Sequence, residues 1–84
     1  MVQPVATYVL WHRHDREECS AAYAAWRGFA SPIRRRAVLT SCLTGDHAIW
    51  LTVAAEDEQE ALSLLPPYVA ERTTAMEVRE TALP

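Results

Sequence analysis

The hydrophobic and polar positions fall into a short series of blocks. The first, VATYVLWHR (5–13), is rich in Val, Tyr and Trp and predicts a strand. Its side chains divide by alternation into Tyr8, Leu10, His12 and His14 on one face and Val9, Trp11 and Arg13 on the other. Which set faces the core stays open. Asp15 follows, with Glu18 three positions on, a pattern that predicts a reciprocal helix cap. In REECSAAYAAWRGF the residues Cys19, Tyr23 and Trp26 then recur at helical spacing, with Ala22 and Phe29 beside them. Gly28 and the Ser31-Pro32 pair predict the end of this helix.

Two further β-rich runs, AVLTSCLT (37–44) and HAIWLTVAA (47–55), are separated by Gly45-Asp46. A two-residue Gly-x loop predicts a tight hairpin. That register would pair Thr44 with His47 and Cys42 with Ile49. Val38, Thr40, Cys42, His47, Ile49, Leu51 and Val53 would share one face. Leu39, Ser41, Leu43, Trp50 and Thr52 would share the other. Asp57 and Glu60 predict a second helix start, and Pro66-Pro67 must break that helix, because proline has no backbone N–H. Pro67 could open a further short turn through Arg72. TAMEVRET (74–81) predicts the last strand.

The resulting order, β-α-β-β-α-β, is an α+β, ferredoxin-like arrangement. It predicts a four-stranded antiparallel sheet of order 4-1-3-2, with two helices on one face and the other face open. This topology gathers His12, His14, Cys19, Cys42 and His47 at one end of the domain.

Composition narrows the reading. The 84 residues suffice for a single domain, 1–84. A domain this small buries only roughly 60–65% of its unfolded surface, so a second subunit covering an apolar face would help. The net charge of -3 argues against a general nucleic-acid partner. All eight basic residues are arginine and alanine is abundant, a composition expected of a high-GC bacterial genome. No apolar run is long enough for a membrane span, and the opening MVQPVATYVLWHRH lacks the marks of a leader, so a cytoplasmic protein is expected. Cys19 and Cys42 are then expected to be thiols.

The candidate chemistry lies in HRHDREEC (12–19) and its topological neighbours. His12 and His14 share a face about 7 Å apart, a spacing that two ligands of one metal can use. Imidazole suits Zn, Ni or Cu, and a thiolate nearby favours softer ions. The expected metal set is His12, His14 and His47 with Cys19, and Glu18 or Cys42 as other choices for the fourth position. Hydrogen-bonded seam histidines and core cysteines are the structural reading of the same residues; Cys42, mid-strand on the more aliphatic face, suits the core. The second functional reading is a cofactor-independent enzyme. There His12, His14 or His47 is the acid/base catalyst, and Trp11, Trp50 and Tyr8 line a small-molecule pocket on the open face. No organic cofactor is expected in either reading. Arg34-Arg35-Arg36 is either a solvated loop or a site for an anionic ligand.

The segments YVLWHRH, GDHAIWLTVAA and LLPPYVAERTTAMEVRE resemble small bacterial proteins close to the nickel-binding ferredoxin-like group, within the dimeric α/β-barrel superfamily. Muconolactone isomerase and the small antibiotic-biosynthesis monooxygenases share that architecture. The resemblance covers most of the chain and is one of pattern and topology. It implies a homodimer in which two open sheet faces meet, often around a small-molecule pocket, and it implies His and carboxylate ligands in the nickel-binding group.

Overall fold

The computed structural model describes residues 5–84. Residues 1–4, on which part of the leader reading rests, lie outside them. The elements run β1 (Ala6–Arg13), a 3-10 turn (Arg16–Glu18), α1 (Cys19–Ala24), β2 (Leu39–Thr40), β3 (Ala48–Ala55), α2 (Glu58–Ser63), α3 (Pro67–Ala70) and β4 (Thr73–Val78). The fold is α+β. Its antiparallel sheet has the order β2-β3-β1-β4, which is 4-1-3-2 from the opposite edge. No helix among the described residues is long and apolar enough to cross a membrane.

β1 lies at the centre and pairs along its length with β3 and β4, with Leu10 opposite both Leu51 and Ala75. This settles the division of β1. Tyr8, Leu10 and His12 face the helices, and Leu10 is fully buried. Around them pack Val53 and Ala55 of β3, Ala61 of α2, Leu65, Val69 of α3 and Ala75 of β4. Val9 and Trp11 face the other way, with Trp11 directly opposite Trp50. Leu39, Trp50 and Met76 leave that second face apolar and exposed.

The helical layer is more fragmented than the sequence suggests, with three short helices instead of two. The first segment begins as a 3-10 turn and is α-helical for only six residues. Gly28 ends its trailing turns in the left-handed region (φ 77). The expected apolar stripe is displaced: Ala22 is the buried residue, and Tyr23 is 51% exposed. At Pro66-Pro67 the chain breaks as expected, and Pro67 becomes the first residue of α3, where its missing N–H costs no helical bond. Asp57 caps α2 by accepting from the Glu60 N–H at 2.7 Å.

The hairpin differs most. β2 has two residues, paired Leu39 to Trp50 and Thr40 to Ile49. The register is two residues off the tight-turn expectation, and residues 41–47 form a wider loop. Hydroxyl side chains compete for the backbone here. The Ser41 hydroxyl donates to the Asp46 carbonyl and accepts from the Ala48 N–H, and Thr44 donates to the Ser41 carbonyl. The Thr40 hydroxyl accepts from the Cys42 N–H at 3.2 Å. A shift of two preserves strand parity, so Leu39 and Trp50 still share a face. Cys42 does not: it leaves the strand for the loop and is half-buried.

Candidate metal centre

The two central strands deliver the histidines. After the last β1–β3 pair, Arg13 with Ala48, the ladder continues for one more bond, from the His14 N–H to the His47 carbonyl at 3.0 Å. His14 and His47 are thereby held side by side, with ring centroids 5.4 Å apart. The 41–47 loop folds Cys42 back toward them, and α1 begins with Cys19. The ligand atoms of His14, Cys19, Cys42 and His47 lie within 4.8 Å of one another. His14 is buried and the other three are half-buried.

His12 lies outside that group and supports it. Its Nδ1 is 3.2 Å from the Val69 carbonyl oxygen and 3.2 Å from the Thr73 hydroxyl. The carbonyl can only accept, and Thr73 donates its own proton to that same carbonyl at 2.7 Å. The proton of neutral His12 therefore sits on Nδ1. Its Nε2 is then an acceptor, and it lies 2.8 Å from the Nδ1 of His14. His14 accordingly donates from Nδ1 and keeps a lone pair on Nε2, 3.9 Å from the Cys42 sulfur. A backbone carbonyl thus fixes the tautomers of two rings in series and leaves a free nitrogen facing two thiols.

The electrostatics favour neutral rings. Burial pushes the pKa of both His12 and His14 below the ordinary value; the neighbouring ring adds to this in each case, His14 for His12 and His47 for His14. The Cys19 thiol is pushed up, by burial first and by Cys42 second. The buried Nδ1 of His47 has no hydrogen-bond partner among the described residues, an expensive state for a buried polar atom.

Glu18 is not a member of the cluster, and both of its carboxylate oxygens are engaged elsewhere. Its Oε1 accepts from the Asp15 N–H at 2.9 Å, completing the Glu18 half of the expected cap. Its Oε2 accepts from Arg72 Nε at 2.8 Å and from the Tyr68 hydroxyl at 3.2 Å. This clamp ties the residue before Cys19 to α3 and to the start of β4.

The aromatic residues expected around one pocket are separated by the sheet. Tyr8 is buried in the core under the helices, whereas Trp11 and Trp50 sit on the opposite face. Trp50 borders a shallow groove with Val9, Leu39 and Thr52. A smaller, more enclosed cleft of about 330 Å³ lies on the helix side, and His12 forms part of its wall. Among the three expected histidines, then, His14 and His47 meet with Cys19, while His12 bonds to His14. Cys42 is the member that sequence reasoning placed in a strand. The run of Thr40, Ser41 and Thr44 around it was the available signal that a hydroxyl-bonded turn competes with strand there.

Comparison of the chain with protein-family models, with curated proteins and with solved structures gives no match, so the functional reading rests on the geometry of this cluster.

Proposed function

We propose that the protein is a metal-binding protein whose ligands are His14, Cys19, Cys42 and His47. The observation that carries this reading is their mutual proximity within 4.8 Å. A tetrahedral ion with bonds of about 2.0–2.3 Å needs its ligand atoms about 3.3–3.8 Å apart. Small rotations of side chains that are only half-buried close that difference. Two nitrogens and two sulfurs in tetrahedral array suit Zn(II) first, with Ni(II) and Cu as competitors. His12 acts as the orienting partner that metal-bound histidines generally have. With four protein ligands the site is closed, which suits a structural, storage or sensing role better than hydrolysis. The rings' commitment to one another and to a carbonyl supports this reading over a cofactor-independent acid/base catalyst, as does the separation of Tyr8 from the two tryptophans.

In the same reading the chain is a ferredoxin-like domain of a bacterial, cytoplasmic protein related to the small nickel-binding group. It forms a homodimer through its open sheet face. Support comes from the strand order and from the exposed Leu39, Trp50 and Met76 on a face that carries no helix.

The test is elemental analysis of untagged protein purified without chelator, together with Co(II) substitution. Near-stoichiometric Zn, and thiolate-to-cobalt charge-transfer absorption that weakens in both Cys19→Ser and Cys42→Ser, are expected. Protein that carries no metal and takes up none of Zn, Ni, Cu or Co overturns the assignment.

A further inference from the structure

The helix-side cleft has features the metal site does not use. Trp26, Ile33, Leu51 and Leu65 supply apolar wall, and Arg34, Arg35 and Arg36 all border it as well. Three consecutive residues of a strand or helix cannot face one cavity. They do so here because they occupy a turn in which Arg35 adopts the left-handed backbone conformation, φ 72. That conformation is uncommon for a residue with a long side chain, and strain of this kind is characteristic of ligand clamps.

None of these three arginines forms an ion pair among the described residues. Both ion pairs among the described residues are made by Arg72. Arg36 donates to the Thr52 carbonyl at 3.0 Å, a neutral acceptor that leaves its charge unbalanced. In a chain of net charge -3, Arg34, Arg35 and Arg36 thus border an apolar cleft, and among the described residues none of them has a carboxylate within ion-pair reach.

We propose that this cleft binds a small organic anion, a carboxylate carried on an aromatic or branched hydrocarbon frame. The apolar walls take the frame, and Arg34 and Arg35 pair with the carboxylate, arginine being the side chain best matched to that group. The cleft's volume of about 330 Å³ is at the small end for ligand sites, which favours a frame of one or two rings. The proposal is independent of metal occupancy, although His12 and Val69 line the inner wall and would report on the ligand.

The test is a ¹H-¹⁵N NMR titration of the full chain with 1-naphthoate, beside the neutral 1-naphthalenemethanol of the same frame. Naphthoate is expected to shift the amides of residues 33–38 and Leu51 saturably, and to bind at least about tenfold more tightly than the alcohol. Its affinity should fall as salt rises. Arg34 and Arg35 are exposed and make no side-chain hydrogen bond among the described residues, so an Arg34→Gln/Arg35→Gln variant should keep the native spectrum. In that variant the preference for the carboxylate should disappear while the alcohol binds as before. Equal affinity of the two probes for the parent protein overturns the proposal. So do shifts confined to the Trp11/Trp50 face, and so does the absence of saturable shifts with either probe at millimolar concentration.

Discussion

His12 Nε2 and His14 Nδ1 stand 2.8 Å apart, and the direction of that hydrogen bond is set from outside the pair by the Val69 carbonyl. The two residues sit on one face of the same chain segment, yet they do different work. One has both ring nitrogens engaged within the fold. The other keeps a nitrogen for the cluster.

The first prediction follows from that asymmetry. His12→Phe should keep a one-to-one metal stoichiometry but weaken affinity by about 10–100-fold, the usual effect of losing an orienting partner. His14→Ala should lose the site. Competition titrations against a chromophoric chelator separate the two cases. Equal, complete loss in both variants would instead make His12 a ligand.

The sequence carried β1, β3 and β4, the order of strands in the sheet and the gathering of His12, His14, Cys19, Cys42 and His47 at one end of it, four of which form the cluster while His12 stands behind His14. Alternation in β1 and the Asp57 cap are local features, dictated by residues within a few positions of one another. What it did not carry depends on distant groups. Nothing near His12 reveals that α3 will place a carbonyl against its Nδ1, so ligand and support look alike at the sequence level. The hairpin failed for a different reason. Gly45 does adopt a positive φ of 124, as the tight turn required, but three hydroxyl side chains bond the backbone on either side and widen the loop. Cys42 was misplaced for that reason.

The loop provides the second prediction. The Ser41 hydroxyl joins both sides of the 41–47 loop, accepting from the Ala48 N–H at 3.2 Å and donating to the Asp46 carbonyl. Ser41→Ala should cost about 1 kcal/mol of stability, the net worth of a typical hydrogen bond. It should also weaken metal affinity, because Cys42 and His47 lie at the two ends of the loop. Denaturant melts with and without Zn read both effects. Unchanged metal affinity alongside reduced stability would show that the loop does not position the ligands.

The third prediction concerns acid. The Asp15 N–H, first, and then Arg72 hold the Glu18 carboxyl below its ordinary value of 4.5. The unfolded chain therefore takes up the proton at higher pH than the folded one. The clamp's contribution is present above about pH 4.5, and it is lost as the pH falls through the lower folded value. In metal-free protein, Glu18→Gln should lower the melting temperature at pH 7 and flatten its fall between pH 5 and 3. Parallel acid limbs for parent and variant would remove Glu18 from the account.

The fourth prediction addresses the open sheet face. Trp50 is opposite Trp11, 37% exposed, with Leu39 beside it on the edge strand. A buried tryptophan at the centre of an interface typically contributes 2 kcal/mol or more, about a 30-fold change in dissociation constant. If two such faces meet, Trp50→Glu should convert a dimer into a monomer in sedimentation equilibrium while leaving metal stoichiometry intact, since the cluster's ligands come from the strand ends, the 41–47 loop and the start of α1. A parent protein that is already monomeric at high micromolar concentration would separate this face from self-association, leaving the metal site as a property of the single chain.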